Sequence, residues 1–468
     1  MAPRNPSTFQ PPAIIVEDLD TADDGAVSPT HQTTNNVKES GSGDRGADHD
    51  NNEHQATCSG SIISETTGSI RSTRSYIRPY YRSRRIAKSE IEKPWVGERQ
   101  SVWPTVIPCF GFACGLALIA VMIYLGIDSV PTHKYCLVME DDFEGSRLNT
   151  SIWDYEIQVG GFGNGEFEVT TNDTENVFLE NGKLVIKPTL QDPKLLDSDY
   201  TLLNLTADGT CTSDVWYNCW SATNSTNHTI INPVKSGRIN TKSSASIRYG
   251  RVEVVAKMPA GDWLWPAIWL LPVEDVYGPW PASGEIDIVE SRGNNYTYRY
   301  GGNNEVSSSL HWGPTKALDQ TWRDTNTQKN MHSTYSAKFH TYGLEWSEKY
   351  LYTYVDSRIR HVVYTKYTKP QWIRGQFPQL SEGKLIMDPW NTNRDNTPFD
   401  TPFYLIINLA VGGTNGYFSD PDRKKPWDNN AVNASSYFWA AKDSWYPTWV
   451  EGKAQLEVES VKMWQECG

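Results

Sequence analysis

The sequence predicts an all-β sandwich or jelly roll behind one transmembrane helix, with a disordered segment at the N-terminus. Three observations carry that prediction. From about Tyr135 to Gly468 the chain runs in short stretches of period-two alternation broken by Gly, Pro, Asn and Asp; residues 100–127 hold no charged side chain; and residues 1–65 are acidic and almost free of aromatics. The 468 residues exceed one average domain, and 43 basic against 56 acidic residues give a net charge of −13. Such a balance argues against a nucleic-acid partner, because the phosphate backbone requires a basic face. Composition also excludes collagen-like, coiled-coil and small disulfide-scaffold classes, leaving a multi-part chain with one sizeable folded unit. Tryptophan locates that unit, since seventeen of the 19 lie in residues 128–468.

Taken in order, residues 1–65 carry eleven acids, three bases and a single aromatic, Phe9. That composition cannot bury enough apolar surface to offset chain entropy, so disorder is expected. Charge then inverts: Arg71, Arg74, Arg78, Arg82, Arg84, Arg85, Lys88, Lys93 and Arg99 face only Glu90, Glu92 and Glu98, and residues 1–99 read as a tail ending in a basic juxtamembrane belt. The apolar stretch 104–127 follows. At ~1.5 Å rise per residue its last five turns span about 30 Å, the thickness of a bilayer core, and no face is polar. It lies too deep in the chain for a cleaved signal peptide. The Lys/Arg excess before it predicts a cytosolic N-terminus and an extracellular or lumenal C-terminal domain, a type II anchor in the plasma membrane or secretory pathway with membrane lipid as a partner.

Two distributions agree with that orientation. Asn-x-Ser/Thr acceptors occur at Asn149, Asn172, Asn204, Asn224, Asn227, Asn295 and Asn433, all after the helix. Cys58, Cys109 and Cys114 fall on the cytosolic or membrane side, leaving an even number outside: Cys136, Cys211, Cys219 and Cys467. Four cysteines allow three pairings. The favoured one joins Cys211 to Cys219 in a short loop and Cys136 to Cys467 across the ends of the domain.

Within 135–468 the strand-like runs include GKLVIKP, GRVEVVAKMP, SGEIDIVES, VSSSLHWG, KYLYTYVD, FYLIINLAVGG and AQLEVESVKMW. The chemistry concentrates in SGEIDIVESRG, where Glu285, Asp287 and Glu290 alternate with Ile286, Ile288 and Val289. In a regular strand Glu285 and Asp287 share a face and Glu290 points to the other; a one-residue bulge after Asp287 returns Glu290 to the first. Three acids on one face repel, so at least one pKa is expected to rise. Glycoside hydrolysis uses such a set, one carboxylate as nucleophile and a second as general acid. A calcium site or a solvated acidic strand are the plainer alternatives; calcium favours Asn- and Asp-rich loops over an Ile/Val strand.

The runs GRINTKSSASIRYGRVEVVAKMPAGDWLWPAIWLLP, GEIDIVES, SLHWG, FHTYGLEW and NLAVGG, in this order, resemble glycoside hydrolase family 16, on the branch of β-1,3-glucanases and β-glucan recognition proteins. The resemblance covers about Glu140 to Met463. It implies a curved β-jelly roll with a glycan cleft on its concave face, and retaining hydrolysis of β-1,3 or β-1,3/1,4 glucan. By position Glu285 takes the nucleophile's place, Asp287 assists it, and Glu290 takes the general acid/base's place. Two residues between Asp287 and Glu290 match the laminarinase spacing with its bulge. One departure stands out: GRVEVVAK has Val255 where relatives often carry a second arginine, with Arg248 or Arg251 left to cover its contact.

Sugar rings present apolar C–H faces, so aromatic platforms bind them. Trp263, Trp265, Trp269 and Trp280 all stand shortly upstream of Glu285; the resemblance places Trp269 and Trp280 at the cleft, with Trp265 as a further candidate. It also places His311 beside the acid/base and Asn164 on a loop bordering the cleft, and gives His340 a supporting role in the fold. Gly412–Gly413 is read as a backbone turn. No cofactor is required, and the resemblance allows only a structural calcium, for which no loop shows a ligand pattern. The expected function is a membrane-anchored endo-β-1,3(4)-glucanase acting on β-glucan polysaccharide. The alternatives are a cell-wall transglycosylase and a non-catalytic β-glucan-binding receptor; loss of a carboxylate is expected of the latter, and all three are present.

Overall fold

The computed structural model describes residues 83–97, 101–128, 133–381, 383–419 and 424–467. The chain divides into two units, 1–100 and 101–468. In the first, the described residues form two short 3-10 turns, Lys88–Glu90 and Pro94–Val96. The expected disordered segment 1–65, Cys58 and the belt residues Arg71 to Arg82 and Arg99 lie outside the described residues.

The second unit opens with helix α1 (Trp103–Asp128), 26 residues long with none buried. It is one helix long and apolar enough to cross a membrane by length and composition. It encloses the predicted span 104–127.

Thereafter the chain is mainly β. Its two large sheets use, in chain order, β1 (Tyr135–Asp141), β2 (Asp154–Tyr155), β3 (Val177–Leu179), β4 (Leu184–Ile186), β5 (Arg238–Asn240), β6 (Ser246–Ile247), β7 (Gly250–Lys257) and β8 (Leu264–Pro272). They continue with β9 (Glu285–Ser291), β10 (Glu305–His311), β11 (Thr325–Lys329), β12 (His340–Trp346), β13 (Tyr350–Val355), β14 (His361–Lys366), β15 (Phe403–Val411) and β16 (Leu456–Glu466). The back sheet runs β14-β13-β12-β7-β16-β4-β3, with β1 also on β16; the front sheet runs β11-β10-β9-β8-β15-β5-β2, with β6 also on β15. Every pairing in these two sheets is antiparallel. This is the β-jelly-roll sandwich the alternation predicts.

Where one face of a strand meets solvent or the cleft, period-two burial separates it from the core face. On β7, Val252, Val254 and Ala256 are buried, whereas Arg251, Glu253, Val255 and Lys257 are part-exposed. On β8, Leu264, Ile268 and Leu270 are wholly buried between the sheets, which turns Trp265, Trp269 and Leu271 to the opposite face. The central strand β15 is buried at every position and reads FYLIINLAV, with Asn408 its one strongly polar side chain. Fully burying one such aliphatic side chain contributes roughly 1.5–3 kcal/mol. A one-residue slip, which exchanges the two faces, is therefore excluded by the core.

Both predicted disulfides form, Cys136–Cys467 and Cys211–Cys219. Gly412 and Gly413 have φ of 65° and 123°, and a Cβ on Gly412 would stand 2.2 Å from the Phe167 ring. They form the backbone turn that was read from the sequence. Helical segments Ala434–Ala440 and Lys442–Trp445 interrupt a region in which the sequence signalled only strands; Phe438 and Trp445 anchor them in the core, stacked at 4.3 Å.

Candidate active site

The bulge is present in β9. Asp287 pairs with Ser309 and Glu290 with Ser307 on β10, so Ile288 and Val289 stand opposite the single residue Ser308. On the other side Asp287 pairs with Trp269 and Val289 with Ile268. Ile286, Ile288 and Val289 are buried in the core, whereas Glu285 and Glu290 both line a cleft of about 560 Å³ over the front sheet. The extra residue is what brings Glu290 to the face of Glu285.

Each carboxylate has its own partner. The Trp280 indole N–H donates to Glu285 Oε2 at 2.7 Å, and that of Trp265 donates to Glu290 Oε1 at 2.9 Å. Asp287, buried, lies 3.4 Å from His311 Nε2, and the other ring nitrogen of His311 bonds Asp319 at 2.5 Å. Asp319 is itself fixed by the backbone N–H groups of Trp312 and Thr321. One imidazole thus bridges two acids at the foot of the cleft.

The electrostatics follow from burial and crowding. Burial pushes the Asp287 carboxyl well above the usual range and Glu285 adds to it, against the opposing pull of His311. Burial also raises Glu290, with Glu285 adding to the rise, while the Trp265 hydrogen bond and the His311 charge act the other way. Burial disfavours the charge on His311, yet Glu285, Asp287 and Asp319 outweigh it and hold the imidazole well above its ordinary range. The cluster is a set of carboxyls organised around a cation.

The cleft walls are aromatic and amide-rich. Trp269 donates to Asn408 Oδ1 at 2.8 Å, and Trp265 stacks flat on Tyr417 with ring centres 3.9 Å apart. Arg238, paired with Glu156 at 2.6 Å, sets its guanidinium 3.9 Å from the Phe162 ring and 4.8 Å from that of Trp269. Asn164 holds Glu166 and accepts from Asn415.

Every sequence-predicted cleft residue lies here: Glu285, Glu290, Trp265, Trp269, Trp280, His311 and Asn164 line the cleft, with Asp287 immediately beneath. Trp263 does not; it is buried among Tyr298, Phe418 and Trp427. His340 is buried against Asp356, a supporting role in the fold. Val255 sits part-exposed on the back sheet, away from the cleft lining, while Arg251 there pairs with Glu253. Phe162, Arg238, Lys316, Asp319 and Asn415 were not singled out in the sequence. Arg238 stands in GRINTK with no local signal beyond its charge; strand order alone brings it beside Trp269. Among the described residues, Glu285, Asp287 and His311 form a group whose ligand-type atoms lie within 4.8 Å of one another. Both nitrogens of His311 face carboxylates, Asp287 at 3.4 Å and Asp319 at 2.5 Å.

The model for glycosyl hydrolases family 16 matches residues 206–404, a span that contains all three carboxylates. A beta-1,3-glucan-binding protein of Penaeus monodon is 39% identical over 349 residues, covering 70% of this chain and 90% of that protein. A glucan endo-1,3-beta-glucosidase A1 of Niallia circulans is 35% identical over 289 residues, covering 59% of this chain and 34% of that protein. Among solved structures, the laminarinase catalytic domain from Thermotoga maritima MSB8 aligns with 72% of this chain and 100% of its own, at 23% identity and a TM-score of 0.46. The chain belongs to glycosyl hydrolase family 16.

Proposed function

We propose that this protein is a retaining endo-β-1,3(4)-glucanase, held at a membrane by α1. The observation that carries the reading is the bulge, which sets Glu285 and Glu290 in one cleft with separate indole donors. In this mechanism Glu285 attacks the anomeric carbon while Glu290 gives its proton to the departing glycosidic oxygen. Glu290 then takes a proton from water, and that water displaces the sugar from Glu285. A raised Glu290 pKa suits this double use, since an acid must retain its proton near working pH. Asp287 and His311 hold the charge around Glu285. The aromatic walls supply apolar area for sugar faces.

Membrane attachment is proposed from α1 together with the Lys/Arg excess before it, and the outer location from the seven acceptor asparagines and two disulfides beyond it.

A second reading, glucan binding without turnover, is favoured by one observation: the 39% identical relative is named a glucan-binding protein. The test is release of reducing ends from linear β-1,3-glucan by the full chain, with proton NMR of the first product. Release with an initial β-anomer is expected. Binding without release supports the receptor, and products longer than the substrate support a transglycosylase.

His311→Gln removes a cation that opposes the rise of the Glu290 pKa. The group then rises further and keeps its proton to higher pH. The alkaline limb of the kcat/KM profile is therefore expected to move up, with kcat lowered on the order of 10- to 100-fold by lost positioning. An unmoved alkaline limb would remove His311 from the electrostatics of the acid.

A further inference from the structure

A second aromatic surface lies outside the cleft. Strands Leu202–Asn204 and Trp220–Ala222 pair as a hairpin, and its tip is closed by the Cys211–Cys219 disulfide. Trp216 and Trp220 stack there with ring centres 5.4 Å apart and planes 20° apart, and Tyr217 meets Trp216 edge-on. These rings stay in the open: Trp216 is 67% exposed, Tyr217 59% and Trp220 40%. Buried Cys219 and the Asn218 amide bonded to Ser213 fix the turn that presents them.

The hairpin is built onto the cleft wall. Val159 N–H donates to Asn218 C=O at 2.8 Å, and the Asn218 side chain lies so close over Gly160 that a Cβ there would stand 2.0 Å from its Oδ1. Gly160 leads directly into Gly161–Gly163, whose Phe162 lines the cleft beside Asn164. One residue, Gly161, thus separates Gly160 under the hairpin from Phe162 on the wall.

We propose that Trp216 and Trp220 form a distal platform for the β-glucan chain as it leaves the cleft past Phe162. The inference rests on the glucanase reading and adds a second contact for polymer. The chemistry favours a neutral sugar chain over an anionic surface: residues 195–234 contain no Lys or Arg and four Asp, so phosphate headgroups or nucleic acid are repelled. Exposed indole faces on a disulfide-fixed turn offer apolar area to sugar C–H faces with little ordering cost.

The test compares a long β-1,3-glucan with the trisaccharide laminaritriose, measuring Kd by calorimetry on the full chain carrying Glu285→Gln so that neither ligand is consumed. Adding Trp216→Ala and Trp220→Ala is expected to weaken polymer binding about tenfold or more and to leave the trisaccharide unchanged. The paired Trp→Tyr replacements are expected to restore most of the loss, which separates stacking from misfolding. Polymer affinity equal to the parent's overturns the platform alone. An equal loss for both ligands also overturns it, by placing the effect in the cleft. A parent that binds neither ligand overturns the platform together with the glucanase reading.

Discussion

Glu285→Gln is expected to lower turnover of linear β-1,3-glucan by roughly 10⁴-fold, with KM changed little. The amide keeps the shape and still accepts from Trp280, so the loss reports the missing nucleophile. Glu290→Ala gives a distinct signature. With a substrate whose leaving group needs no proton, the first step survives and the glycosyl-enzyme accumulates, because no base remains to activate water. Added azide should then release a β-glycosyl azide from Glu290→Ala, and an α-glycosyl azide from the Glu285→Ala enzyme. Interchanged products would exchange the two roles; no rescue in either variant would sink the double displacement.

The second large effect concerns the ends of the domain. Cys136 and Cys467 are 331 residues apart, so their bond closes nearly the whole domain after α1 into one loop. By loop-closure entropy its removal should cost about 6 kcal/mol, against about 2.5 kcal/mol for the Cys211–Cys219 loop with a separation of 8. Strand β1 pairs with β16 along Tyr135 to Asp141 and holds the folded ends together without the bond, so the cost is expected in the unfolded ensemble. Serine replacements at each pair, compared by denaturant midpoint at unchanged slope, check the order. A larger cost at Cys211–Cys219 would show that native contacts around the hairpin, rather than loop length, set the stabilisation.

The sequence was most informative where a local rule acts alone. An uncharged run of bilayer length, alternation of period two, an even cysteine count after that run and the GEIDIVES spacing are each read directly from the sequence. The structure bears them out in α1, the two sheets, both disulfides and the β9 bulge. What stayed hidden depends on strand order. Arg238 reaches Trp269 because β5 lies beside β15, which lies beside β8, and nothing near position 238 encodes that adjacency. Asp319 was missed because it acts through His311, from a loop eight residues away. Tyr417 was missed because its role is to lie flat on Trp265, a contact between distant segments. Trp263 shows the converse: its position in the tryptophan-rich run is indistinguishable by eye from that of Trp265, yet it joins the core, because it stands just before β8 with a φ of 69°, outside the pleat that turns Trp265 to the cleft.

The bulge gives β9 an unusual mutational profile. Ile288 and Val289 are buried, touch no cleft surface, and should accept other aliphatic residues of similar volume with small losses. Deleting either one is another matter, because it removes the residue that the bulge absorbs. Glu290 would then stand four positions from Glu285, still opposite Ser307, on the cleft face of a regularly pleated strand. At full length, regular pleating would instead send the Glu290 carboxyl into the apolar interior. Strand length and bulge are thus matched to each other, and either can change only together with its counterpart.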